Sequence, residues 1–382
     1  MDLARFCKHK VESVMTAEGK APLLSLATPL YTISLMYGAG LKIREFAYRQ
    51  RVLPSHRLPC KVICVGNITV GGAGKTPMTM HVAQEIEQLG YKTAIVSRGY
   101  RGRAENRGGI VSDGQSLLME PAEAGDEPYL IARSLPEIPV IVGQNRYAAG
   151  LRAVAKFQPE VIVLDDGFQH FKLKRDIDLV LLNHARPFGN SHLLPRGILR
   201  EPISSLARGT AWILTRHRAH PAEPEPSTIK QIKKYTSTNR LFGASHESYY
   251  YTIDAGEQFT THAPAKRCTD QAAGRMTKDP VFGFSGIARN AEFQNTVKRL
   301  GIDAAGFLEF PDHHRYAARD LANILTQAGN AGARRLITTE KDLVRLAPRN
   351  PFPLELIVVG IKVAFGDQHQ AFTAFLKKQL SL

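Results

Sequence analysis

Short apolar runs alternate with longer helix-patterned segments along most of this chain. The runs Val62 to Val65, Thr93 to Val96, Val140 to Val142, Val161 to Leu164, Leu179 to Leu182 and Ala211 to Leu214 read as buried strands. Their rhythm is that of a parallel sheet with helices on both faces, in which ligands bind at the carboxyl ends of the strands. Pro221-Ala222-Glu223-Pro224-Glu225-Pro226 interrupts the pattern and reads as a surface loop or linker near a domain edge. A second series follows, with Leu241 to Phe242, Tyr249 to Ile253, Val281 to Phe284, Arg335 to Thr338 and Leu356 to Val359 as expected strands. The chain is therefore expected to be α/β, with an α/β/α domain over residues 56–240 and a second, smaller α/β domain over residues 241–382.

Residues 1–55 stand apart. No charged residue occurs from Ala21 to Leu41, a stretch that as a helix would measure about 30 Å, nominally the thickness of a bilayer core. Pro22 and Pro29, with Ser25, Thr28, Tyr31, Thr32, Ser34 and Tyr37, make one side too polar for a lipid-exposed span. Basic residues flank both ends, Arg5, Lys8, Lys10 and Lys20 before and Lys42, Arg44, Arg49 and Arg51 after. That symmetry gives no inside-outside bias and suits a helix lying in one interface, with both ends against anionic headgroups. The lead also carries Asp2, Glu12 and Glu18, which a secretory signal would not. The competing expectation is a buried helix of a soluble domain.

Composition narrows the partner. Hydrophobic content of 43% with 22% charged residues excludes a disordered protein, and 382 residues suffice for about two to three cores. A formal charge of +15 points to an acidic partner: nucleic acid, anionic lipid or a phosphorylated small molecule. Cys7, Cys60, Cys64 and Cys268 show neither metal spacing nor a disulfide framework, which fits a reducing cytoplasm.

Between the first run and the next helical segment lies Thr69-Val70-Gly71-Gly72-Ala73-Gly74-Lys75-Thr76. Strand, glycine-rich loop, Gly-Lys-Thr and helix in that order make a phosphate-binding loop of the P-loop NTPase type. Backbone N–H groups would cradle phosphate oxygens, Lys75 would meet the β- and γ-phosphates, and Thr76 would ligate Mg²⁺. The pattern departs from the usual one: Thr69 stands where a glycine is expected, and the extra glycine is moved to Gly71. A glycine-rich turn without a ligand is the bland alternative.

Further motifs stand at strand ends. Asp165 and Asp166, closing the run Val161 to Leu164, have the form of an acidic Mg²⁺ site opposite the loop, although paired aspartates also serve as plain turn formers. Gln169 and His170 continue that exit and could face nucleotide or substrate. Arg98 and Arg101, around Tyr100, follow another strand where anions bind, or form a solvated basic loop. Asp126 reads locally as a helix cap, with Glu127 in the first turn and Pro128 tolerated there. Phe310-Pro311-Asp312-His313-His314 offers either a polarised acid-base unit or a surface turn. One cysteine in this half, Cys268, argues against a structural zinc site.

Taken together, Gly66 to Pro77, Ser97-Arg98-Gly99-Tyr100, Gly125-Asp126-Glu127-Pro128, Asp165-Asp166-Gly167-Phe168-Gln169-His170, Arg200-Glu201-Pro202, Phe310 to His314 and Thr339-Glu340-Lys341-Asp342 resemble the tetraacyldisaccharide 4′-kinase family of lipid A biosynthesis, in order and across nearly the whole chain. The displaced glycine is the form this family takes. The resemblance implies transfer of the γ-phosphate of ATP, with Mg²⁺, to the 4′-hydroxyl of a tetraacylated disaccharide 1-phosphate, giving lipid IV-A. It implies two α/β/α domains and an amino-terminal membrane-associating helix, and places the enzyme peripherally on the cytoplasmic face of the bacterial inner membrane. Anionic lipid is the implied partner, with no nucleic acid and no obligate protein partner.

By the same resemblance Asp126 and a histidine of Asp312-His313-His314 form the catalytic pair. His313 is the position implicated, and the adjacent His314 remains an alternative. Thr69 to Thr76 would bind the nucleotide, and Thr76 with Asp165 or Asp166 would hold Mg²⁺. Arg98, Tyr100, Arg146, Gln169, His170, Arg200 and Glu201 are second-rank candidates for substrate contacts. With Asp126 and His313 on separate domains of the linear division, nucleotide binding is expected to close a cleft that assembles the pair.

Two other classes share the loop. A regulatory GTPase would need an Asn-Lys-x-Asp spacing, which Thr339-Glu340-Lys341-Asp342 does not provide. An ATPase coupled to nucleic acid would suit the charge, but the lysines and arginines are spread along the chain without an aromatic-interleaved groove.

Overall fold

A computed structural model describes residues 14–15, 25–215, 226–236, 240–256, 268–269, 279–346 and 352–381. The first part of the expected anchor, including Pro22, and the proline-rich stretch 221–225 lie outside the described residues. The chain forms two compact units that interleave in sequence. One comprises Met1–Ser97, Asn145–His246 and Val363–Leu382, the other Arg98–Gln144 and Glu247–Lys362.

The first unit is built on parallel strands. Lys61–Asn67 lies between Val161–Asp165 and Ile177–Asn183; Thr93–Ser97 extends the sheet beyond the former, and Ala211–Thr215 then the start of Leu241–Ile253 beyond the latter. Side chains of Val161–Asp165, Thr93–Ser97 and Ala211–Thr215 are buried at every position. Such unbroken burial is the mark of a parallel sheet covered on both faces and explains why these strands read as continuous apolar runs. Val65 pairs with Asp165, so the strand entering the glycine loop ends beside the aspartates.

A helix, Ala27–Arg49, packs on this unit through one face. Ser34 Oγ donates to Leu193 O at 2.9 Å, Tyr37 Oη to Arg200 O at 2.9 Å and Arg44 Nη2 to Gln169 O at 3.2 Å, while Tyr48 stacks on Phe171. These four stand three, seven and four residues apart, which keeps them on one side of the helix. Ile33, Met36, Ile43 and Phe46 occupy another face and are exposed. Among the described residues no helix is long and apolar enough to cross a membrane.

In the second unit Val281–Ser285 pairs in parallel with Ala304–Glu309 and Arg335–Thr339, and Glu355–Ala364 continues from the latter. Alternate residues point to opposite faces of a strand, and two apolar clusters follow that parity. Tyr249, Tyr251, Phe282, Phe284, Leu336 and Leu356 belong to one; Tyr250, Val281, Ile337 and Ile357 belong to the other. The expected strands Leu241 to Phe242 and Tyr249 to Ile253 are parts of one strand, Leu241–Ile253. Among the described residues three strands escaped the sequence reading. Ala304–Glu309 has no fully buried position, Gly109–Ser112 only a pair, and Cys268–Thr269 is two residues long, so none carries a long apolar run.

Candidate active site

In the first unit the glycine loop joins the strand Lys61–Asn67 to the helix Lys75–Gln88. Gly71 and Gly74 take φ of 102° and 79°, the left-handed region where a side chain is strained. Gly74 caps the helix in that conformation, turning the chain so that the first-turn N–H groups, which have no intrahelical acceptor, and the positive dipole end face the loop. The front of the loop is tied down. Val70 N donates to Ile198 O at 2.7 Å, Thr69 bridges to Leu199, and Thr215 Oγ1 holds Ala73 O at 2.9 Å. Thus Thr69 and Val70 anchor the turn through their backbone, and Gly71 to Thr76 form the rest of the loop and the helix entry.

Lys75 Nζ lies 3.4 Å from Asn67 Oδ1 and 3.5 Å from Asp166 Oδ2. Arg200 Nη1 reaches both Asp166 oxygens, at 3.2 and 3.0 Å, and Arg146 Nη2 donates to Asp166 O at 3.4 Å. Burial opposes ionisation of Asp166, but Lys75, Arg200 and Arg146 outweigh it and hold the carboxyl below its ordinary range. Asp165 is 2% exposed and accepts hydroxyls from Thr79 and Ser97, each at 3.1 Å. Thr76 is buried at the start of the helix. The set Thr76, Asp165 and Asp166 offers hard oxygen donors only, which suits Mg²⁺.

Gln169 and His170, both half-buried, follow this cluster along the same strand exit. Gln169 Nε2 donates to Asn67 O at 2.8 Å, tying the two strand exits together. Burial first, then the nearby charges of Arg146 and Arg175, push the His170 pKa down to about 4. Glu201 is ion-paired with Arg208, whose guanidinium lies over Phe168 and Phe171. Burial raises the Glu201 pKa against the pull of Arg208.

Asp126, His313, Arg98 and Tyr100 belong to the second unit. Gly125, with φ 88°, precedes the helix Asp126–Ser134 as its cap, and a Cβ there would meet Tyr100 O at 2.9 Å. Gly125 takes the cap position and Asp126 is the first residue of the helix, contrary to its local reading as the cap. The Asp126 carboxylate faces His313 Nδ1 at 3.0 Å and Arg345 Nε at 2.7 Å. Burial disfavours the charged form, yet His313 and Arg345 prevail and hold the Asp126 carboxyl below its usual range. His313 takes φ of 60°, a strained conformation fixed by its N–H to Gly286 O at 3.2 Å. His314 turns elsewhere, to Asp320 Oδ2 at 3.0 Å, and stacks on Phe310.

The expectation that closure between domains assembles the Asp126–His313 pair is overturned: both residues lie in one compact unit and are already in contact. Arg98 Nε is engaged by Glu105 at 2.6 Å, and Tyr100 is 53% exposed between Arg98 and Arg101.

Arg345 was not singled out by sequence. It is 3% exposed, donates to Gly286 O at 2.6 Å and pairs with the fully buried Asp342 at 3.4 Å. Asp342 in turn accepts from Gly286 N and Tyr316 Oη. Thr339 caps the helix Glu340–Arg345, and Lys341 bonds Glu127 at 3.1 Å. The only signal for Arg345 was its place one helical turn after Asp342. Ser97 and Thr79 likewise announced nothing beyond a strand end and a helix position.

A parallel sheet with a Gly-Lys-Thr loop at one strand end and an aspartate pair at the next defines a P-loop phosphotransfer class of α/β protein. Within that class the chain belongs to the LpxK family, tetraacyldisaccharide-1-P 4′-kinase, whose model matches residues 26–381. It is 37% identical to the tetraacyldisaccharide 4′-kinase of Syntrophus aciditrophicus over 381 residues, covering 96% of each chain. It is 36% identical to that of Desulfatibacillum aliphaticivorans over 380 residues, covering 98% of each. A solved structure of LpxK from Aquifex aeolicus in complex with ATP matches with a TM-score of 0.73 at 29% identity, covering 93% of this chain and 100% of that one.

Proposed function

We propose that this chain transfers the γ-phosphoryl group of ATP to the 4′-hydroxyl of a tetraacylated disaccharide 1-phosphate. The observation that carries this reading is the glycine loop with Lys75 3.5 Å from Asp166 at the end of a parallel sheet, in a chain of the LpxK family. Backbone N–H groups from Gly71 to Thr76 and the Lys75 ammonium would bind the phosphates. Thr76, Asp165 and Asp166 would hold Mg²⁺, which when bound neutralises phosphate charge and orients the γ-phosphoryl group. Entry of a triphosphate gives Lys75 and Arg200 a second anion to meet beside Asp166. Arg146 and Arg200, both held by Asp166, are suited to the phosphate side of the reaction, while Gln169 ties the strand exits together and Glu201 holds Arg208. Arg98 and Tyr100 would meet the acceptor headgroup.

Asp126 would accept the proton of the 4′-hydroxyl, with His313 and Arg345 fixing its carboxylate. Its lowered pKa keeps it ionised at neutral pH and makes it a weak base. That is tolerable, because phosphoryl transfer depends mainly on in-line positioning and charge neutralisation.

An acylated acceptor stays in a bilayer, so the enzyme must work at its surface. We read the exposed Ile33, Met36, Ile43 and Phe46 face, with Lys42, Arg44, Arg49 and Arg51 nearby, as a peripheral contact with anionic lipid on the cytoplasmic side of the inner membrane. The test is incubation with γ-labelled ATP, Mg²⁺ and tetraacyldisaccharide 1-phosphate. Label should appear in the lipid and be lost in Lys75→Ala; label released only as inorganic phosphate would overturn the reading in favour of an ATPase.

A further inference from the structure

Two helices of the first unit, Lys75–Gln88 and His369–Leu380, meet through a side-chain cluster that phosphoryl transfer does not use. His81 and Glu85 are four residues apart and so share one helix face, and His369 opens the other helix. Glu85 Oε1 lies 3.9 Å from His81 Nε2 and 3.5 Å from His369 Nε2, and one ligand atom from each residue falls within 4.8 Å of the others. His81 Nε2 is shut off from solvent and has no hydrogen-bond partner among the described residues. A buried polar atom left in that state asks for a partner that the protein itself does not supply.

We propose that His81, Glu85 and His369 form a binding site for a divalent transition-metal ion of the zinc class, distinct from the Mg²⁺ of the phosphate loop. Two imidazoles and one carboxylate are a borderline-soft donor set that favours zinc over magnesium. A tetrahedral ion at ordinary bond lengths needs ligand atoms about 3.3 Å apart. His369, whose side chain is 49% exposed, has the freedom to close the remaining gap, while His81 and Glu85 are held by packing.

The surroundings are those of a ligand set. Thr373 Oγ1 donates to Glu85 Oε2 at 2.8 Å, which fixes the carboxylate with Oε1 toward the two rings. Phe365 and Phe372 stack on one another and flank His81 at 5.3 and 6.3 Å, giving the site an apolar wall. Burial, and to a lesser degree His369, hold the His81 pKa down against the pull of Glu85, so its ring is in the neutral, metal-binding form near neutral pH. A fourth position would go to water. The ion would pin the carboxyl-terminal helix to the helix that carries the phosphate loop.

The test uses tag-free full-length protein, stripped by chelator and kept in excess Mg²⁺ to fill oxygen-rich sites. Titration with Zn²⁺ should show one-to-one binding and raise the melting temperature by about 5 °C. Co²⁺ in place of Zn²⁺ should give the visible absorption of a tetrahedral site. His369→Gln, at an exposed position, should keep the fold yet lose the absorption band and weaken binding at least about a hundredfold, with Glu85→Gln behaving likewise. Equal Zn²⁺ binding by wild type and His369→Gln, or no stoichiometric binding by the wild type, would overturn the proposal and leave a plain His369–Glu85 ion pair.

Discussion

Arg345 Nε stands 2.7 Å from Asp126 Oδ2, the same carboxylate oxygen that His313 Nδ1 meets at 3.0 Å. One acid is thus held by two bases from the far part of its own unit, and the guanidinium is anchored in turn by Gly286 O and Asp342. Arg345 therefore acts on the reaction through Asp126. Arg345→Lys should keep the fold and lower kcat about ten- to a hundredfold, with KM for ATP little changed. Loss of the bidentate-capable cation also lets the Asp126 carboxyl rise, so the acidic limb of the kcat profile should move to higher pH. An unchanged pH profile would reduce Arg345 to a structural residue.

His313 and His314 are neighbours in sequence with different tasks. His313 faces Asp126, whereas His314 bonds Asp320 in the first turn of the helix Ala318–Asn330. His313→Ala should lower kcat by about a hundredfold or more, comparable with Asp126→Ala, and the double variant should be little worse than either. His314→Ala should change kcat less than about threefold while costing about 1 kcal/mol of stability. Steady-state kinetics and urea melts on the four proteins decide the matter; the reverse ranking would move the catalytic pairing to His314.

The exposed face of the helix Ala27–Arg49 gives a binding prediction. Full burial of a large apolar side chain is worth about 1.5–3 kcal/mol, so replacing Met36 and Phe46 by Ser should weaken partition onto anionic vesicles at least about tenfold. Because Ser34, Tyr37, Arg44 and Tyr48 still dock the helix, the melting temperature should hold. Vesicle flotation measures the first quantity. Equal flotation of variant and wild type would show that another surface makes the contact.

His170 predicts a pH dependence of stability. Its folded pKa, about 4, lies below the ordinary histidine value, so the folded state favours the neutral ring. Stability from this source is complete above about pH 6.5 and is lost as pH falls toward 4, because the unfolded chain takes up a proton that the folded chain refuses. The urea midpoint of the wild type should therefore drop between pH 7 and 5 by more than that of His170→Gln. Parallel drops would mean that His170 does not carry the effect.

Local sequence determined the parallel strands, the glycine loop and the paired aspartates, because each depends on neighbours within a few residues. A strand buried on both faces must be apolar throughout, and a loop gripping phosphate needs glycine, lysine and hydroxyl in fixed order. The edge strand Ala304–Glu309 left no such trace because it buries little. Tertiary structure alone decided that Asp126 does not cap its helix and that it meets His313 across 187 residues of chain. It alone brought in Arg345, interleaved the two units, and chose which face of the helix Ala27–Arg49 docks. Those outcomes depend on which surfaces pack together, a sum over many distant and individually weak contacts that no local pattern encodes.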